Sequence, residues 1–347
     1  NLHLFANPID KFRPSDKEIQ RALKKKKGSN LIYFGPGVHN LPNDTLFVPS
    51  GTTVYIDGGA RVYGNIFTEG AHDVNIFGRG EVHPDGRGAG VWVRRSKNVR
   101  IDGIVVSQLP IGQCDSVELT NVKSISYYGW GDGMDVFSSS NVILDGVFCR
   151  NSDDCAAVYA STQGFKGGSN NVLVKNATLW ADVAHPINIG GHGDPNGMDT
   201  VQNVTFRNID ILDQAEKQID YQGCLAINPG DNTLVRNITF ENIRIEDFRN
   251  GQLVNFRISF NPKYCVSTGR GIQNVLVKDV TYNGSGENLS IIAGYDENHK
   301  ISGIRFVNLV VNGRKITDDM PGKPKWYKTG DMAGIFVGEH VENLSFE

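Results

Sequence analysis

An all-β fold, a single parallel β-helix, is predicted by three features of this 347-residue sequence. A short apolar phrase recurs along the chain, glycine and asparagine are in excess, and no helical periodicity separates the repeats. Read in order, the phrases are Asp73-Val-Asn-Ile-Phe-Gly, Asn98-Val-Arg-Ile-Asp-Gly-Ile, Asn121-Val-Lys-Ser-Ile-Ser and Asn141-Val-Ile-Leu-Asp-Gly-Val. Asn171-Val-Leu-Val-Lys-Asn-Ala, Asn203-Val-Thr-Phe-Arg-Asn-Ile, Asn237-Ile-Thr-Phe-Glu-Asn-Ile and Asn274-Val-Leu-Val-Lys-Asp-Val follow, and Ile304-Arg-Phe-Val-Asn-Leu and Val341-Glu-Asn-Leu-Ser-Phe close the series. The phrase returns every 20 to 37 residues, a period that belongs to solenoids and propellers.

Within each phrase apolar and polar residues alternate, which marks a half-buried strand. A propeller needs four strands in each ~40–45 residues, too many for these intervals. The lack of helical pattern excludes leucine-rich, helical and βαβ arrangements. Coils stacked at the ~4.8 Å spacing of paired strands are the solution that remains. Gly accounts for 40 residues and Asn for roughly one in eleven; both tolerate positive φ, as many tight corners require.

The first coil exposes a strand edge that must be covered. Residues 15–28 supply a short capping helix: Ser15 and Glu18 form a capping box, Ile19, Ala22 and Leu23 make an apolar stripe, and Gly28 ends it. The Lys24–Lys27 run is then its solvated last turn, where the helix dipole favours cations. The strands between make one domain over residues 1–347. Residues 313–335, rich in Gly, Pro and Lys, read as a loop folded over the far end of the coils.

A net charge of −3, from 35 Lys+Arg and 38 Asp+Glu, argues against a nucleic-acid partner. No run of 18 apolar residues exists, so no membrane span is expected. The opening Asn1-Leu-His-Leu-Phe-Ala-Asn-Pro lacks the basic start and apolar core of a signal peptide; the chain reads as the mature form of a secreted or periplasmic protein, expected to be a monomer. Five cysteines without a CxxC read as buried free thiols, with Cys149–Cys155 as the pair nearest to a bridge. Seven N-x-[ST] sequons (Asn43, Asn176, Asn203, Asn237, Asn283, Asn288, Asn343) fall mostly inside the repeat, where Asn serves a turn.

One stretch concentrates acids: Trp130-Gly-Asp132-Gly-Met-Asp135, then Asn151-Ser-Asp153-Asp154-Cys155. Asp132 and Asp153 are 21 residues apart, about one coil, which puts their backbones roughly 5 Å apart in adjacent coils. Three carboxyls brought together repel, so at least one holds its proton unusually tightly. That is what a general acid beside an ionised base requires, and glycosidic hydrolysis is the chemistry it suits. Any single Asp here could simply occupy a turn, as Asp102-Gly103 and Asp145-Gly146 do. Further along, His185 leads into a Gly-rich loop containing His192, Arg257 stands in a strand whose neighbours are uncharged, and Tyr295 offers a ring with a polar tip.

Gly131-Asp132-Gly133-Met-Asp135, Asp153-Asp154-Cys155, His185-Pro-Ile-Asn-Ile-Gly, Phe256-Arg257-Ile258 and Tyr295-Asp296 occur in the order of the polygalacturonase motifs of glycoside hydrolase family 28. The chain resembles that family over residues 31–316. The resemblance implies a right-handed parallel β-helix. It implies Asp153 as general acid, Asp132 and Asp154 as activators of water for inversion, His185 as support for the acid, and Arg257 and Tyr295 as sugar holders. Trp130 and His192 complete the candidate substrate-binding set. A polysaccharide or oligosaccharide partner follows, of pectin-type galacturonan or a related glycan, with no metal or cofactor. The chain departs from the motifs at Trp130 and Gly131, at Ala184 and Pro186 around the histidine, and at Ser259, where the family has the Lys that binds a uronate. It also resembles the sister dextranase and isopullulanase family, which acts on neutral α-glucans and carries an N-terminal β-sandwich for which these 347 residues leave no room. Two alternatives use the same scaffold: a calcium-dependent polysaccharide lyase and a non-catalytic sugar binder.

Overall fold

A computed structural model describes residues 3–24, 29–285 and 287–347. Twenty-eight strands join in one sheet wound into coils. Pairing is parallel throughout that sheet, except that Lys300–Val311 pairs antiparallel with Arg314–Ile316. Each coil contributes to three ladders. The first begins with Leu31–Phe34, Thr53–Ile56 and His72–Gly78. The second runs through Lys123–Ile125 and Phe148–Asn151. The third carries Met134–Phe137, Ala156–Tyr159, Ile187–Ile189, Leu225–Ile227 and Val254–Arg257.

The recurring Asn-Val phrase has a physical cause. Asn98, Asn141, Asn171, Asn203, Asn237 and Asn274 all sit at φ between 54° and 58°, a left-handed corner that Asn tolerates better than β-branched or bulky residues. The residue after each corner turns inward: Val99, Val142, Val172, Val204, Ile238 and Val275 lie in register and are buried to 1% exposure or less. Burying each such side chain contributes about 1.5–3 kcal/mol. The corner amides also bond along the coils: Asn203 Nδ2 donates to Asn170 Oδ1 at 2.8 Å and Asn237 Nδ2 to Asn203 Oδ1 at 3.1 Å. Asn203 and Asn237, both sequons, are thus employed in the corner ladder.

The capping helix spans Asp16–Leu23, with both halves of the Ser15/Glu18 capping box present. Ile19 is buried and Ala22 half-buried, but Leu23 is 57% exposed and leaves the expected stripe. The helix termination read at Gly28 and most of the lysine run lie outside the described residues. Residues 313–335, read as a loop, instead hold the strand Arg314–Ile316 and the short helix Thr329–Ala333, and end where the strand Ile335–Val337 begins. All five cysteines are free and buried; Cys149 and Cys155 form no bridge, and the Cys155 thiol donates to the Cys149 carbonyl at 4.0 Å.

Replacing Asn203 tests the corner argument. Asn203→Ala loses two amide bonds and leaves at the left-handed corner a residue without the polar side chain by which Asn tolerates it, costing about 1–2 kcal/mol. Asn203→Gly keeps the backbone geometry and should cost less. Thermal midpoints that fall equally for both substitutions would contradict this account.

Candidate active site

The third ladder brings the acids together. Gly133 N–H donates to Asp154 O at 2.8 Å, and Met134 pairs with Ala156. The coil offset is therefore 22 residues, which sets Asp132 beside Asp154 and leaves Asp153 projecting next to both. A β-carbon at Gly133 would stand 2.2 Å from the Cys155 carbonyl oxygen, so only glycine permits this approach. One oxygen from each of Asp132, Asp153 and Asp154 lies within 4.8 Å of the others. The next coil adds His185, whose carbonyl accepts from Cys155 N–H at 2.9 Å.

Asp154 is 5% exposed and its four acceptor sites are all engaged. Oδ1 accepts from His185 N–H at 3.0 Å and from His185 Nδ1 at 2.7 Å. Oδ2 accepts from the Tyr159 hydroxyl at 2.5 Å and from Asn188 Nδ2 at 2.8 Å. Burial alone would raise its pKa. The His185 charge and these bonds outweigh burial and hold Asp154 at about 2. Asp153 goes the other way: burial first, then the Asp154 charge, push it to about 7. Asp132 is also raised well above the ordinary carboxylate range, by burial and then by Asp153 and Asp154. The cluster titrates as a unit: one carboxylate is held as an anion, and the two beside it bind their protons more tightly than an ordinary carboxyl. Three close carboxyls could in principle bridge a cation, but Asp154 has no acceptor site left to offer one.

The cluster opens into a cavity of about 660 Å³. Trp130 stands at its rim, 70% exposed, and His192 lies in its wall, edge-on to Tyr159 with ring centres 5.1 Å apart. Burial lowers the His192 pKa. Arg257 also lines the cavity, with Nη2 donating to Asp220 Oδ1 at 2.6 Å. Ser259 occupies the wall two residues on. Tyr295 is not brought to this wall. It follows Ser290–Ala293, one coil beyond Arg257, where a turn closed by His299 N–H on the Asp296 carbonyl leaves it half-exposed and edge-on to His299.

Aromatic surface comes instead from Tyr221 and Tyr264, with the Lys263 ammonium 5.3 Å and 4.9 Å from their ring centres. These residues carry no spacing signal, because they belong to loops between coils. Two further acids line the cavity. Asp135 is buried with Oδ1 lacking a partner, and burial followed by its three acidic neighbours raises its pKa strongly. Glu216 is 4% exposed and accepts from Gln218 N–H at 2.7 Å. Asp135 was visible as an acid inside a strand phrase; Glu216 had no motif to mark it.

Fold and site together define a parallel β-helix protein with an acid cluster in a lateral cavity. The sequence profile described as glycosyl hydrolases family 28 matches residues 90–320. The chain belongs to that family. It is 26% identical over 295 residues to a polygalacturonase of Juniperus ashei, covering 75% of this chain and 54% of that protein. The chain spans about half the length of the curated relatives it matches. Among solved structures it is similar to the Yersinia enterocolitica family 28 exopolygalacturonase, with a TM-score of 0.64, 14% identity, and coverage of 94% of this chain and 74% of that one. It is also similar to Dex49A from Penicillium minioluteum, with a TM-score of 0.61, 14% identity, and coverage of 91% and 60%. The fold is the right-handed parallel β-helix of these neighbours.

The raised acids make stability depend on pH. A carboxyl that binds its proton more tightly when folded contributes stability that is full below its unfolded pKa. That contribution is lost as pH rises through the folded value, about 7 for Asp153. Asp153→Asn should therefore raise the thermal midpoint over wild type at pH 8, with the gain shrinking by pH 5. An equal difference at both pH values would contradict the crowding account.

Proposed function

We propose that this protein hydrolyses O-glycosidic bonds in a polysaccharide or oligosaccharide of the pectin-type galacturonan class or a related glycan, with inversion at the anomeric carbon. The observation that carries this reading is the acid cluster: three carboxyls with oxygens within 4.8 Å of one another, one held as an anion by four donors and two with raised proton affinity. When Asp132 and Asp153 share a single proton, one is an acid and the other a base. Asp153 donates its proton to the leaving glycosidic oxygen as the C–O bond breaks. Asp132 accepts a proton from the water that attacks the anomeric carbon, and exchange with solvent resets the pair. The family resemblance gives water activation to Asp132 and Asp154 together. Because four donors occupy Asp154, it is here the fixed charge that keeps the shared proton in place.

The sugar side is supported by the rings of Trp130, Tyr221 and Tyr264 in the cavity, since flat apolar faces suit pyranose rings. Arg257 and Lys263 line the same cavity and are the partners for a uronate carboxylate, in place of the lysine that Ser259 replaces. A secreted or periplasmic location, where such a glycan is met, belongs to the same proposal. One observation favours a second reading. Oxygen separations within 4.8 Å resemble the ~5–5.5 Å of retaining enzymes more than the ~6.5–9.5 Å of inverting ones, which would make Asp132 a nucleophile.

Reducing-end release from galacturonan, dextran, pullulan and neutral galactan tests the activity, and proton NMR of the first-formed anomer tests the stereochemistry. Release from an acidic glycan with inversion is expected, and Asp153→Asn should lose about 10²–10⁴-fold in kcat. Retention would replace the water step by the second reading. An unsaturated, ultraviolet-absorbing product that disappears with chelator would instead establish a lyase, and binding without cleavage a non-catalytic protein. Lys263→Ala should raise KM on galacturonan while leaving KM on any neutral substrate unchanged. An equal rise on both would remove Lys263 from carboxylate recognition.

A further inference from the structure

Ala184 adopts φ of 59°, a left-handed conformation that a β-carbon disfavours. It immediately precedes His185, and its conformation decides where the His185 N–H and imidazole point. Both backbone polar groups of Ala184 are held by side chains from one segment of the next coil. Its N–H donates to Glu216 Oε2 at 3.3 Å, and its carbonyl accepts from Gln214 Nε2 at 3.1 Å.

The two holders are themselves fixed. Gln214 is fully buried at the end of Thr200–Gln214, and its Oε1 accepts from Gln252 N–H at 3.0 Å and Gly223 N–H at 3.4 Å. A β-carbon at Gly251 would come within 1.8 Å of that oxygen, so glycine there leaves the amide its place. Glu216 Oε1 accepts from Gln218 N–H at 2.7 Å, and the Glu216 carbonyl accepts from Gln222 Nε2 at 2.7 Å.

We propose that Gln214 and Glu216 are positioning residues: a two-point clamp that keeps Ala184 left-handed and so aims both nitrogen donors of His185 at Asp154. This rests on the hydrolase reading of the acid cluster and assigns two residues that reading does not use. The clamp accounts for a non-glycine residue directly before the histidine, since side-chain bonds supply what glycine would give by conformational freedom. Glu216 has a second effect, because its charge adds to that of Asp154 in holding the proton on Asp153, against the opposing charge of His185. Asp132 and Asp135 in the cluster and Lys263 from the facing loop complete the charged and titratable groups that act on Asp153.

The test places Glu216→Ala and Glu216→Gln in both the wild-type and the Ala184→Gly backgrounds. On whichever glycan the wild type cleaves, Glu216→Ala should lower kcat about tenfold with little change in KM, and Ala184→Gly should restore most of that loss. Glu216→Gln keeps an acceptor but not the charge. It should retain most of kcat at acid pH while the alkaline limb of the profile moves to lower pH, because Asp153 then gives up its proton earlier. Losses that simply add in the double variant, or an unmoved alkaline limb in Glu216→Gln, would overturn the proposal. The proton NMR resonance of the His185 Nδ1–H gives a readout free of turnover. It should weaken or shift in Glu216→Ala and return when Ala184→Gly is added. An unchanged resonance in Glu216→Ala would overturn the clamp, whereas an inactive wild type with the expected resonance changes would refute only the hydrolase reading.

Discussion

Electrostatic crowding imposed by coil register is the constraint on which the rest depends. Stacked parallel strands place residues one coil apart at a fixed short spacing, and here the residues so placed are Asp132 and Asp154 with Asp153 beside them. The backbone pairing of Gly133 with Asp154 leaves the acids no freedom to separate. The site resolves the repulsion by division of labour. Donors from His185, Tyr159 and Asn188 make one carboxyl a fixed anion, and burial together with its field raises the proton affinity of the others. Acid and base then differ by surroundings and not by residue type.

The coil geometry was readable because its physical demands are local. A corner at positive φ followed by an inward apolar side chain writes itself as Asn-Val or Asn-Ile in seven of the ten phrases, and as Asp-Val or Asn-Leu in the other three. The acids were readable for a related reason: their separation is nearly one coil. The offset is 22 residues, which sets Asp132 beside Asp154 and not Asp153, a distinction that depends on how the 126–133 loop bends. His185 falls in the coil after Asp154 and could be placed by the same count.

Loops between coils carry no such signal. Tyr221, Lys263 and Tyr264 meet in the cavity through the path of long connections, which periodicity does not constrain. Tyr295 has the chemistry and the order in the chain, yet it stands one coil beyond Arg257 and Ser259, in a tight turn beside His299 that leaves it half-exposed. Glu216 was invisible because its role is to hold a backbone, and a residue that acts through Ala184 needs no motif of its own. Leu23 shows the same limit at the first coil, where an apolar residue in helical register points to solvent.

The account stands on one physical state, a cavity in which Asp154 is ionised while Asp153 remains protonated close to neutral pH. Carbon-13 NMR of the protein labelled at aspartate side-chain carboxyls, titrated from acid to alkaline pH and assigned with Asp153→Asn, reads that state directly. The Asp154 resonance should stay in its ionised form down to about pH 2, and the Asp153 resonance should change near pH 7. Ordinary titration of all three carboxyls near pH 4 would contradict the account.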